Sequence, residues 1–293
     1  MADVSIGVDL VSRLVAGRFP AWADLPLTPI ASAGTDNVIF RLGETMAVRL
    51  PRDADAAEAI AKEQTWLPRL GDRLPLDHPT PLGLGDPADS YPWRWGVCRW
   101  VEGRDAVSMS IADEAGSARA LGGFLTALRD VNAADGPRAG PANNYRGVAL
   151  RHLDQRVREC LVQLEDDIDT AQATRVWEAG LSAAIHDGPR VWIHGDLHPG
   201  NLVVREGRLS GVIDFGLMGV GDPAVDLMAG WTVFDADVRE TFLEAAGAGT
   251  AARARARAWA LYAGAIALPF YRNSNPTLAS ISRRTLGRVL EEP

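Results

Sequence analysis

The spacing of apolar and polar residues changes period several times along this 293-residue chain. Val8, Val11, Leu14 and Val15 recur at helical intervals within a segment from Val4 to Phe19, and Pro20, Pro26 and Pro29 stop it. Ile30 to Asn37 is a loop of small residues. It leads into two apolar runs, Val38 to Leu42 and Met46 to Leu50, parted by Gly43 and Glu44, which predict two strands and a tight turn. A helix follows from Pro51–Asp55 to about Leu70, with Ile60, Leu67 and Leu70 as its buried side and Glu58 and Lys62 spaced i, i+4 on its surface. Pro75, Pro79, Pro81 and Pro87 exclude regular helix between Leu74 and Pro87. Trp93 to Gly103 then alternates as a strand that ends at Gly103.

Beyond this point helical periods dominate. Ser110 with Asp113 three residues later predicts a short-armed capping box, and Ile111, Ala115, Ala118, Leu121, Leu125 and Leu128 form the stripe behind it. Asp135 to Tyr145, rich in Gly, Pro and Asn, is a loop that reads either as part of a substrate mouth or as a plain connector. Further helices are expected over Leu150–Leu164, Thr170–Ile185, Ala224–Phe234, Val238–Ala246, Ala251–Leu268 and Pro276–Leu290. Arg253, Arg255 and Arg257 spread around one of them as a solvated face. Between these helices lie three short apolar runs: Val191–Ile193, Leu202–Val204 and Gly211–Ile213. The last two are joined by Arg205-Glu206-Gly207-Arg208 and predict a hairpin.

Composition narrows the class. A hydrophobic share of 47% and a charged share of 23% are those of an ordinary soluble globular protein, long enough for one large domain or two lobes. No run of about 18 apolar residues occurs, and MADVSIGVDLVSRL carries acids where a signal peptide is basic, so a cytoplasmic protein without a membrane partner is expected. A net charge of −8 argues against nucleic acid as a partner. It is compatible with a cationic ligand, and equally with solubility alone. Cys98 and Cys160 are too few for a disulfide framework or a metal site and are expected as buried apolar side chains.

Candidate chemistry concentrates between Val191 and Asp226. His194-Gly195-Asp196 leaves a short strand into a loop closed by Pro199-Gly200, Asn201 follows Asp196 by five positions, and Asp214-Phe215-Gly216 stands at the exit of the hairpin. Phosphoryl transfer needs a carboxylate beside the attacking hydroxyl and oxygen ligands for a divalent cation on the phosphates. Asp196 suits the first task, and Asn201 with Asp214 suits the second, with Mg²⁺ as the metal. His198 reads as structural or as catalytic. Asp222, beside Pro223, is most simply a helix N-cap.

His194-Gly195-Asp196-Leu197-His198-Pro199-Gly200-Asn201, Asp214-Phe215-Gly216 and Gly221-Asp222-Pro223-Ala224-Val225-Asp226 together resemble the aminoglycoside phosphotransferase and choline kinase family of the protein-kinase fold. The resemblance implies an α+β, bilobal protein-kinase-like fold: an N-terminal antiparallel-sheet lobe over residues 1–101 and a mainly helical C-terminal lobe over 102–293. It implies transfer of the terminal phosphoryl group of ATP or GTP to a hydroxyl of a small acceptor, most simply an aminoglycoside-type antibiotic. Choline, methylthioribose, homoserine and macrolide kinases are the alternatives, as is an inactive nucleotide-binding module. His194 and Asp226 would brace the catalytic loop. Gly34 would lie in the lid over the nucleotide, and the backbones of Arg99 and Val101 would hold the base at the hinge.

Arg49 departs from the family pattern, which has lysine on this strand. It is expected to bind phosphate and to pair with Glu63 on the following helix, although arginine is longer and planar and the exchange is not conservative. Loss of phosphate handling is the other reading of the same residue. Asp235, Asp237, Glu240 and Glu244 could meet the ammonium groups of an amino-sugar acceptor, or could be an ordinary solvated face.

Overall fold

The computed structural model describes residues 5–291; the expected helix start at Val4 and the outer ends of the two expected lobes lie outside them. Strands β1 (Leu27–Ile30), β2 (Asn37–Leu42), β3 (Met46–Pro51), β4 (Pro81–Gly85) and β5 (Trp95–Arg99) form one antiparallel sheet in the order β1-β2-β3-β5-β4. Helix α1 (Val8–Arg18) buries Leu10, Val11, Leu14 and Val15 in a cluster with Phe40, Leu42, Val48, Leu50, Tyr91 and Trp95. Val8, expected in that stripe, is 40% exposed because it is the first residue of the helix, and Leu10 takes its place.

Helix α2 (Ala54–Leu70) packs against β3, β4 and β5, and Asp53 caps it by accepting the Ala56 N–H at 2.9 Å. Its buried side includes Glu63 as well as Ile60, Leu67 and Leu70. Lys62 is not paired with Glu58 on the surface. It reaches across to the second half of the chain and donates to Ala142 O at 3.2 Å, and its desolvation lowers its pKa to about 8.

The second half is mainly helical: α3 (Glu114–Asp130), α4 (Asp154–Val162), α5 (Thr170–Ser182), α6 (Ala224–Leu227), α7 (Ala229–Thr232), α8 (Ala236–Ala245), α9 (Thr250–Tyr271) and α10 (Pro276–Leu290). Two small sheets are set among them. One joins β6 (Arg104–Asp105), β8 (Leu202–Arg205) and β9 (Arg208–Val212); the other pairs β7 (Val191–Ile193) with β10 (Gly219–Gly221). The β8–β9 turn has positive φ at both Glu206 and Gly207, the geometry of a two-residue hairpin turn.

Three helix expectations change. Asp113, not Ser110, caps α3, accepting the Gly116 N–H at 2.9 Å, because Ala112 and Asp113 donate their own N–H groups to Gly207 O at the hairpin turn and stay outside the helix. The segment from Ala224 to Phe234 breaks at Met228 into two one-turn helices. The arginines of α9 are not a solvated face: Arg255 is buried against Asp222, Arg253 pairs with Glu240, and Arg257 bonds Val289 O. Cys98 is buried and its thiol is pushed up to about 11, chiefly by burial, whereas Cys160 is only partly covered. Among the described residues no helix is long and apolar enough to cross a membrane.

The halves meet along a cleft. Gly211 of β9 bridges Asp77, with Asp77 N–H donating to Ser210 O at 3.0 Å and Val212 N–H to Asp77 O at 2.9 Å. Helix α2 rests on the turn that follows Asp214.

Candidate active site

The loop after β7 is built around a buried carboxylate. Asp226 accepts the N–H of His194 at 2.8 Å and of Gly195 at 2.7 Å. It is 3% exposed, and burial raises its pKa against the opposing pull of His194 and the two N–H groups. His194 is fully buried; its Nε2–H donates to Ile213 O at 3.0 Å while Nδ1 accepts the Asp196 N–H at 3.2 Å. The ring lies 4.6 Å from that of Phe215, so a single imidazole joins the catalytic loop to the Asp214-Phe215-Gly216 turn. Gly195 has φ +84°, and a Cβ there would stand 2.6 Å from Leu217 O, so only glycine fits.

Thus held, Asp196 keeps its carboxylate partly exposed. Asn201 donates its amide to Asp196 O at 2.9 Å and to Oδ2 at 3.3 Å. Those bonds orient the amide, leaving its oxygen as an acceptor. His198 accepts the Gly200 N–H on Nδ1 at 3.1 Å, which puts its proton on Nε2, 3.7 Å from Asp196 Oδ2.

Asp214 follows the hairpin in the left-handed region, with φ +62°, and its side chain is 46% exposed. Arg49 bridges it to α2: Nη1 pairs with Glu63 Oε2 and Nη2 lies 3.5 Å from Asp214 Oδ1. Burial works against the Arg49 charge, but Glu63 and then Asp214 outweigh it and raise the pKa of the guanidinium. Arg49, Glu63 and Asp214 therefore form one unit across the cleft. In the loop between β1 and β2, expected as a lid, Gly34 N–H donates to Ser32 Oγ at 3.0 Å, and Asn275 Nδ2, from the N-cap of α10, donates to Ala33 O at 2.8 Å. Asp36, two positions beyond Gly34 in the same loop, has its pKa raised first by burial and then by Asp214, Asp53 and Asp196.

These carboxylates bear on the question of a metal. Asp214 and Asp196 both lie within electrostatic reach of Asp36, and the three carboxylates would repel a polyphosphate. A free amide oxygen on Asn201 and a half-exposed carboxylate on Asp214 are hard oxygen donors, few in number, and that donor set fits Mg²⁺.

The model of the family described as "Phosphotransferase enzyme family" matches residues 27–259. The chain belongs to this family. No curated protein matches it. Solved structures share the fold of this phosphotransferase at low identity. The GDP complex of aminoglycoside 2'-phosphotransferase-IIIa is similar with a TM-score of 0.70 at 18% identity, covering 98% of this chain and 99% of that one. Macrolide 2'-phosphotransferase type I gives 0.64 at 20%, covering 98% and 99%. Macrolide 2'-phosphotransferase MphH from Brachybacterium faecium gives 0.59 at 23%, covering 98% of each chain. The fold is accordingly protein-kinase-like, with the sheet half and the helical half on either side of the cleft.

Of the two residues expected at a hinge, Arg99 donates its N–H to Thr80 O at 2.8 Å. The Val101 main chain makes no hydrogen bond among the described residues. Of the two, Val101 is the one whose main chain is left open to another partner.

The four acids on and before α8 are not gathered around Asp196 by any hydrogen bond or ion pair among the described residues. Asp235 pairs with Arg288 at 2.7 Å and Glu240 with Arg253 at 2.7 Å, while Asp237 and Glu244 are exposed. Asp222 caps locally, accepting the Ala224 N–H at 2.9 Å, but its larger role is the buried pair with Arg255.

One neighbour of Asp196 escapes sequence reasoning altogether. Arg146 reaches Asp196 Oδ1 with Nη2 at 3.6 Å. It lies 50 positions upstream in a loop without periodicity, and nothing in the local spacing marks it.

Proposed function

We propose that this protein transfers the terminal phosphoryl group of ATP or GTP to a hydroxyl of a small molecule, most simply an aminoglycoside-type antibiotic. Residues 1–101 would form the nucleotide lobe and 102–293 the catalytic and acceptor lobe. The observation that carries the reading is the convergence of Asp196, Asn201 and Asp214 with the Arg49–Glu63 pair at one cleft. Support for a nucleotide donor comes from the similar structures, which include GDP, ADP and ATP complexes. Support for the acceptor class comes from kanamycin, gentamicin and streptomycin complexes among them. A macrolide is the second reading, favoured by the likeness to MphH.

In this mechanism Asp196 accepts a hydrogen bond from the attacking hydroxyl, aligns it with the phosphorus and takes its proton late. Arg49, fixed by Glu63, holds the phosphates nearest the nucleoside. Asn201 and Asp214 would hold Mg²⁺, which would neutralise the phosphate charge. Asp226 and His194 keep the loop rigid, so the base is in place before substrate arrives.

The test is turnover with Mg²⁺ and ATP or GTP across kanamycin, gentamicin, streptomycin, a macrolide, choline and methylthioribose, with Asp196→Ala in parallel. Acceptor-stimulated turnover lost in Asp196→Ala is the expected result, and the active acceptor names the class. Nucleotide binding without turnover on any acceptor favours a binding module instead. Absence of nucleotide binding removes the proposal.

A further inference from the structure

Arg49 accounts for the phosphate side of the cleft; Arg146, on the other side, has no role so far. Its side chain is 15% exposed, and its single ion pair among the described residues is with Asp196. The rest of the guanidinium is poorly served, since Nε and Nη1 are buried and reach no hydrogen-bond acceptor among the described residues. The remaining neighbour is the buried ring of Tyr262, whose centroid is 5.6 Å from Cζ.

Folding alone disfavours such a group. Each buried donor loses its bond to water without gaining another, and the charge is desolvated as well. Yet the backbone beneath it is firmly held. Asn143, itself 2% exposed, accepts the Gly140 N–H at 3.0 Å and donates to Arg146 O at 2.9 Å and Leu217 O at 3.3 Å. Gly147 O accepts the Asp222 N–H at 2.9 Å. The loop carrying Arg146 is thus pinned to the segment that follows Asp214, and the backbone from which its side chain reaches Asp196 is fixed.

We infer that Arg146 is a positioning residue for phosphoryl transfer: its guanidinium fixes the Asp196 carboxylate at Oδ1 and leaves Oδ2, between Asn201 and His198, to the acceptor hydroxyl. The inference rests on the phosphotransferase reading for its kinetic consequence. The pairing itself stands on geometry. A misplaced base costs about 10²-fold in rate while substrate binding is largely retained. A rigid loop, an idle cation and a catalytic carboxylate as its one anionic partner are what such a role requires.

The experiment compares Arg146→Met, Arg146→Lys, Asp196→Asn and the double variant Arg146→Met/Asp196→Asn in full-length protein. Melting temperature is measured for all, and kcat and the nucleotide KM for the wild type and the two Arg146 variants. Expected is a melting temperature for Arg146→Met equal to or above wild type, a lower one for Asp196→Asn, which strands the cation, and recovery in the double variant. In turnover, Arg146→Met loses about 10²-fold in kcat with the nucleotide KM unchanged, and Arg146→Lys regains part of it.

A drop in melting temperature for Arg146→Met alone would make Arg146 a structural residue and overturn the inference. So would an unchanged kcat, or a double variant no more stable than Asp196→Asn. If the wild type turns over no acceptor, the proposed function fails separately. The melting data then still decide the pairing, by recovery or its absence in the double variant.

Discussion

Arg255 and Arg146 each face an aspartate in the helical half, and the two pairs are served very differently. Arg255 reaches both oxygens of Asp222, at 2.8 and 3.3 Å, and gives a third bond to Ala184 O. Both side chains are at most one-tenth exposed. Arg146 meets Asp196 at one long contact and leaves two donors idle. The first pair ties α9 to the segment entering α6, behind the catalytic loop; the second lies in the cleft. A fully satisfied buried pair is what a scaffold needs, whereas a carboxylate proposed to receive a substrate hydroxyl has to keep a lone pair unclaimed. Satisfaction of hydrogen bonds thus separates the framework from the reaction centre within one lobe.

The contrast is sharpest in rate. Asp196→Asn is expected to lower kcat by about 10²–10⁴-fold, whereas Asp222→Asn leaves kcat per folded molecule unchanged. Initial rates on the most active acceptor, normalised to folded protein, read the difference. A large kcat loss in folded Asp222→Asn would break the comparison. Next in size is stability: Arg255→Met strands the Asp222 charge in the interior and should cost about 3–5 kcal/mol, measured by urea unfolding. Asp226→Asn weakens the acceptor of two buried N–H groups and should cost about 1–3 kcal/mol. Faster amide exchange confined to His194 and Gly195 would place that loss at the loop.

The smallest effect concerns Lys62, a partly covered cation whose pKa is lowered by desolvation from its ordinary value of 10.5 to about 8. Its folded pKa lies below the unfolded value. Between about pH 8 and pH 10.5 the unfolded chain holds a proton that the folded chain has released, so stability attributable to Lys62 rises with pH across that window. Lys62→Met should remove that slope from the pH profile of the unfolding midpoint. Because Lys62 is the chain's single lysine, reductive ¹³C-methylation gives one side-chain resonance whose titration checks the value directly. A midpoint above 10 would show a solvated amine.

Much of this was legible from local spacing. Asp196, Asn201 and Asp214 lie within 19 positions of each other on one strand-loop-hairpin unit, so chemistry and sequence distance coincide. The β2–β3 hairpin and α2 follow from period and turn residues in the same way. Contacts that skip long stretches were not legible. Arg255 meets Asp222 across 33 positions, and its neighbours at 253 and 257 look like scatter until α9 is seen packed on α5, α6 and α10. Arg146 is harder still, because a loop has no period to betray which way a side chain faces. The start of α3 was misplaced because Ser110 and Asp113 are both good caps in sequence, and a tertiary contact with Gly207 chose between them. The acids of α8 kept their ambiguity until Arg253 and Arg288 were seen to claim two of them.

Asn275 does two jobs with one side chain. Its oxygen caps α10 at Leu278, and its nitrogen holds the β1–β2 loop at Ala33, 242 positions earlier. Loop closure over such a span adds only ~0.6 kcal/mol per doubling of length, so distance along the chain is a weak thermodynamic obstacle. It is a strict constraint in time. During synthesis Ala33 is made 242 positions ahead of Asn275, so the sheet half emerges and folds with this loop untied. The loop can be fastened only after α10 has been delivered.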